Sequence, residues 1–168
     1  MKKVVLSILV DNTAGVLSRV SGLFSRRGYN ISSLTVGETQ DPKISRMTVV
    51  VKGDNKIIDQ IKKQLDKLED VREIFELEPG KSVTRELILV KVAADKNNRQ
   101  NILALADIFR AKIIDVSMDS MVIELTGNEA KIDAFIKLLD DYTVKEFVRT
   151  GVSGLERGTG DMTEYLGD

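Results

Sequence analysis

Five short residues, Asp11, Asn12, Thr13, Ala14 and Gly15, interrupt the chain between an apolar run at 4–10 and a helical pattern that starts at Val16. A helix start leaves backbone N–H groups without intrahelical partners and carries partial positive charge, so it accepts a small carboxylate. Gly15 has no Cβ, which lets a ligand approach the backbone closely. Asn12 and Asn30 each offer an amide oxygen to an ammonium group, and Val16, Leu17 and Ile31 supply apolar surface. Carboxylate, ammonium and aliphatic patch together describe an aliphatic amino acid. The same residue types also cap helices, ease turns and begin strands, so residue chemistry alone leaves both readings open.

The elements that must position these residues follow from periodicity. Residues 4–10 are rich in β-branched side chains and predict a strand. Val16, Leu17, Val20, Leu23 and Phe24 form one stripe of a helix, with Ser18, Arg19, Ser25 and Arg26 on the other side. Asn12 or Thr13 is the expected N-cap and Gly28 the C-cap, while Gly22 interrupts the helix at a cost of about 1 kcal/mol against alanine. Strands follow over 29–36 and 44–52. Asp54 then caps a helix whose buried stripe is Ile57, Ile58, Ile61, Leu65 and Leu68, and residues 71–78 make a fourth strand. The order βαββαβ predicts an antiparallel sheet with both helices on one face.

After an interruption at Pro79, Gly80, Lys81 and Ser82 the same order recurs, with strands at 86–93, 112–118, 121–126 and 144–149 and helices at 98–111 and 129–141. The fold class is therefore α+β, two ferredoxin-like βαββαβ domains over 1–78 and 85–150, joined by a linker at 79–84. Residues 151–168, with Gly151, Gly154, Gly158, Gly160 and Gly167 and little apolar content, predict a mobile tail. The second copy has Asp95, Lys96, Asn97 and Asn98 where the first has its glycine-led turn, so a ligand site belongs to the first half. The 4–10 strand is apolar on both pleat faces, which a sheet covered on one side only does not require. A partner subunit over the open face or edge, most simply a two-fold homodimer, accounts for it.

Composition removes several function classes. With 25 basic and 26 acidic residues, no histidine and no cysteine, the chain lacks the clustered basic character of a nucleic-acid binder and the residues of triads, zinc fingers and most metal sites. The central strand at 44–52 has no aromatics on which RNA bases could stack. Arg26, Arg27 and Asn30 hint at an anion-binding catalytic site of acylphosphatase type, but no paired base or phosphate loop accompanies them. Catalytic and metal residues are accordingly expected to be none. No stretch approaches the roughly 20 apolar residues of a membrane span, and the absence of cysteine fits a cytoplasmic location.

The segments GVLSRVSGLFSRRGYNISSLTVG (15–37), ISRMTVVVKG (44–53), RELILVKV (85–92) and IFRAKIIDVS (108–117) resemble the small, regulatory subunit of acetolactate synthase, in that family's order and spacing from about residue 3 to 158. The resemblance implies an N-terminal ACT domain and a C-terminal ACT-like domain, with valine (or leucine or isoleucine) bound at a dimer interface. Asn12, Ala14, Gly15, Val16 and Leu17 would come from one subunit, and Asn30 and Ile31 from its neighbour. Ala14 stands where many members have proline, giving a less rigid turn. The resemblance further implies a partner, the catalytic large subunit, which would hold thiamine diphosphate, Mg and FAD, whereas this chain would hold no cofactor. Its role would be to activate that partner and confer feedback inhibition in branched-chain amino acid biosynthesis. A stand-alone ACT-type sensor controlling a transcription factor or transporter is the alternative.

Overall fold

A computed structural model describes residues 1–163. The chain divides into two compact units, Met1–Val83 together with the segment from Val152 onward, and Thr84–Gly151.

The first unit is built on β1 (Lys2–Asp11), α1 (Val16–Arg27), β2 (Asn30–Glu38), β3 (Ile44–Gly53), α2 (Asn55–Asp66) and β4 (Val71–Leu77). Its sheet runs β2-β3-β1-β4, antiparallel throughout. Leu6, Ile8 and Val10 of β1 and Met47, Val49 and Val51 of β3 share one core with Val20, Leu23 and Phe24 of α1 and Ile58, Ile61 and Leu65 of α2. Burying each such side chain stabilises the fold by about 1.5–3 kcal/mol. Asp54 caps α2 as its side chain predicts, accepting from the Ile57 N–H at 2.8 Å. Gly28 ends α1 in the left-handed region at φ 66°, the conformation that favours glycine there.

The second unit repeats the plan with β5 (Ser82–Ala93, whose first two residues belong to the first unit), α3 (Arg99–Phe109), β6 (Lys112–Val116), β7 (Ser120–Gly127), α4 (Glu129–Leu138) and β8 (Val144–Arg149) in the order β6-β7-β5-β8. Even the irregularities recur. The second strand of each unit bulges by one residue, between Ile31 and Ser33 and between Ile113 and Asp115, and the first strand of each shifts against the last. Ile88, Val90, Val92, Ile102, Ile123, Ile132 and Phe135 form the core. On β5 Glu86, almost fully buried, accepts two hydrogen bonds from the Arg149 guanidinium at 2.8 Å each, which holds that guanidinium's pKa above its ordinary value.

Three expectations are corrected. The N-cap of α1 is Gly15 rather than Asn12 or Thr13, and no side chain caps it. The linker expected at 79–84 is shorter, because β5 begins at Ser82, directly after a turn at Gly80 with φ 84°. The tail expected from 151 is a folded segment as far as residue 163: Ser153–Glu156 is a strand, β9, and Val152 and Met162 are buried; the remainder lies outside the described residues. That segment also covers the open face of the first sheet, where Met162 packs with Leu9, Ile44 and Phe75, so this chain itself supplies cover that was assigned to a partner subunit.

A Cβ on Gly22 would meet only the far end of the Arg26 side chain, at 3.4 Å, so no close packing requires glycine there. Gly22→Ala is expected to gain about 0.5–1 kcal/mol in urea denaturation. Arg149→Ala strands the buried Glu86 carboxylate and is expected to cost the second unit about 3 kcal/mol or more in the same measurement.

Candidate functional site

The turn between β1 and α1 is held from several sides. The Asp11 N–H donates to the Asp70 carbonyl at 2.8 Å, the Asn12 N–H to the Lys43 carbonyl at 2.8 Å, and Arg72 Nε to the Asp11 carboxylate at 2.6 Å. Asn12 spends both hydrogens of its side-chain amide, on Glu38 Oε1 at 3.0 Å and the Pro42 carbonyl at 2.9 Å. Its amide oxygen is then the atom left to receive an ammonium group. Gly15 lies at φ 86°, where side-chain-bearing residues are strained.

Sequence reading missed the residue closest to this glycine. Arg19, four positions on and so one helical turn above, reaches back until its Nη1 stands 2.9 Å from where a Gly15 Cβ would be. Its Nε donates to the Asp70 carboxylate and its Nη2 to the Ala14 carbonyl at 3.4 Å. The spacing i to i+4 carried this signal, but the solvent side of the helical pattern concealed it. A guanidinium beside a glycine-led helix start adds positive charge to what the backbone offers, offset in part by the Asp70 carboxylate it pairs with.

The candidate residues divide. Asn12, Ala14, Gly15, Val16 and Leu17 are gathered at one end of the sheet. Val16 buries its side chain in the core, leaving its N–H, bonded to Thr13 at 3.4 Å, at the turn. Leu17, expected in the buried stripe, is 43% exposed. Asn30 and Ile31 are elsewhere: Asn30 pairs with Lys52, which pairs with Lys3, at the other end of β1 from Asp11. Eight residue steps of strand put these ends roughly 27 Å apart. One copy of the chain therefore does not bring the two groups together. β2 is an edge strand of its sheet.

The Arg19 guanidinium, first by hydrogen bond and then by charge, holds the Asp70 carboxyl below its ordinary pKa of 3.8. A carboxyl whose pKa is lower in the folded state adds stability above its unfolded pKa, and loses it as pH falls through the folded value. Stability of the first unit is thus expected to decline below about pH 4 partly through this pair. In Asp70→Asn that part of the pH–stability curve should flatten, as acid titration followed by circular dichroism would read.

Two family models match the chain, "AHAS small subunit-like ACT domain" over residues 6–73 and "Small subunit of acetolactate synthase" over residues 85–158. The probable acetolactate synthase small subunit of Methanothermobacter thermautotrophicus is 47% identical over 159 residues, 94% of this chain and 95% of that protein. The acetolactate synthase isozyme 3 small subunit of Escherichia coli is 48% identical over 155 residues, 92% and 95% of the two chains. The crystal structure of the acetolactate synthase small subunit from Thermotoga maritima aligns with a TM-score of 0.88 at 44% identity, covering 95% of this chain and all of that one. With a glycine-led turn on a βαββαβ unit, a second such unit later in the sequence, and relatives similar over nearly their whole length, the chain belongs to the acetolactate synthase small-subunit family.

Proposed function

We propose that the chain is a regulatory subunit that binds a branched-chain amino acid, valine first among them, between two copies of its first unit, and passes feedback inhibition to a catalytic large subunit that it also activates. The separation of Asn12–Gly15 from Asn30–Ile31 carries this reading. A two-fold axis through Leu34, with the bulged residue passed over, would pair β2 with its copy so that Asn30 of one faces Gly37 of the other, next to Glu38, and Glu38 is the residue that Asn12 holds. Two half-sites then become one whole site. The effector's carboxylate would meet the Gly15 turn and Arg19, its ammonium the Asn12 and Asn30 amide oxygens, and its side chain Leu17, Ile31 and Val36.

Relatives named as acetolactate synthase small subunits support the large subunit as partner. In this reading thiamine diphosphate, Mg and FAD belong to that subunit, this chain performs no chemistry of its own, and its place is the cytoplasm. Among the described residues no helix is long and apolar enough to cross a membrane.

Gly15→Asp sets a carboxylate where the effector's own carboxylate would lie. Calorimetric titration with valine should show binding weakened about a hundredfold or more, while activation of the catalytic subunit survives. Gly15→Ala isolates the strain at φ 86° and should weaken binding less. Unchanged binding in Gly15→Asp would place the site elsewhere.

A further inference from the structure

The segment 152–163 grips β2 through side chains. The Val152 N–H donates to Ser33 Oγ at 2.8 Å, Thr35 Oγ1 donates to the Val152 carbonyl at 2.9 Å, and Ser153 Oγ donates to Thr35 Oγ1 at 3.2 Å. Further along, the Arg157 N–H donates to the Lys81 carbonyl at 2.9 Å, and Met162 is buried against Leu9, Ile44 and Phe75. Between these anchors Arg46, Phe75, Leu155 and Glu156 line a cavity of about 250 Å³. Arg46 there donates to the buried Ser7 hydroxyl and is partly stripped of water, with the Glu156 charge nearby in compensation. The segment is thus fastened to β2 at Val152 and Ser153, paired as β9 with β5 along its middle, and anchored by Met162 further on, with the cavity beneath it.

Resting on the effector reading above, we propose that this segment is a strap that positions β2, and that Ser33 and Thr35 are positioning residues for the effector site although they touch no effector. They stand two and four residues beyond Ile31 on the strand that carries Asn30. The hydroxyls fix where that strand's outer end lies, and the strap's release lets it shift.

The test uses the full chain. Thr35→Val keeps the shape and removes the hydroxyl that meets both Val152 and Ser153; Thr35→Ser keeps the hydroxyl. Trypsin cleavage after the exposed Arg157, followed by mass spectrometry, reads the strap, and calorimetry with valine reads the site. Thr35→Val should be cut faster at Arg157 and bind valine about fivefold or more weakly, with Thr35→Ser restoring both. Faster cutting with unchanged valine affinity overturns the coupling while leaving the effector reading intact. Unchanged cutting overturns the role of Thr35 in holding the strap. A parent chain that binds no valine overturns the effector reading and this proposal with it.

Discussion

β1 is buried on both of its faces, and the first unit is arranged around that fact. Leu6, Ile8 and Val10 sit beneath the helices, while Ser7 and Leu9, on the other side, are equally inaccessible to water. Apolar strand surface left wet on one side forfeits the gain from burial, so something must lie over the open face. Residues 152–163 supply that cover, with Met162 closing over Leu9 and Val152 over the hydroxyls of β2. Ser7 is tolerated in so dry a place because Arg46 donates to it, in keeping with the rule that buried polar groups find partners.

Much of this was legible in the sequence, and the part that was not has a common cause. Repeating strand and helix periods, the Asp54 cap and the Gly28 terminus depend on neighbours within a few residues, and each is written locally. The doubly apolar run at 4–10 announced that its second face needed cover. What supplies the cover is joined to it by more than a hundred residues of chain and by contacts at only a few side chains, Val152 and Met162 chief among them. Such contacts leave no period, and the many glycines of 151–168 suggested the opposite of order. The candidate site was similarly half legible: the turn and its glycine stood out, but Arg19 and Asp70 are fifty-one positions apart and meet only in three dimensions.

The two units share a plan but differ in their opening turns. Both bulge at the same point of the second strand and both shift the first strand against the last, which shows that these irregularities belong to the architecture and not to any ligand. The second unit spends its opening turn on itself, with the Asp95 carboxylate accepting from the Asn97 and Asn98 N–H groups. Helix α3 starts without the left-handed glycine that opens α1. Neither helix start carries a side-chain cap, but in the second unit the Asp95 carboxylate occupies two N–H groups of the turn before it.

The bulge in β2 has a geometric effect out of proportion to its size. Ile31 faces the helices opposite Val51, yet Ser33 faces the other way opposite Val50, because one residue between them is passed over in the count. Were Ser32 taken into the regular pairing instead of being bulged out, every later side chain of the strand would trade sides: Ser33 and Thr35 would be driven into oil, and Leu34 and Val36 turned out beneath Val152. A single surplus amino acid thus acts as a frame-setter, sorting the strand's alcohols from its hydrocarbons and giving the chain's far end something to hold.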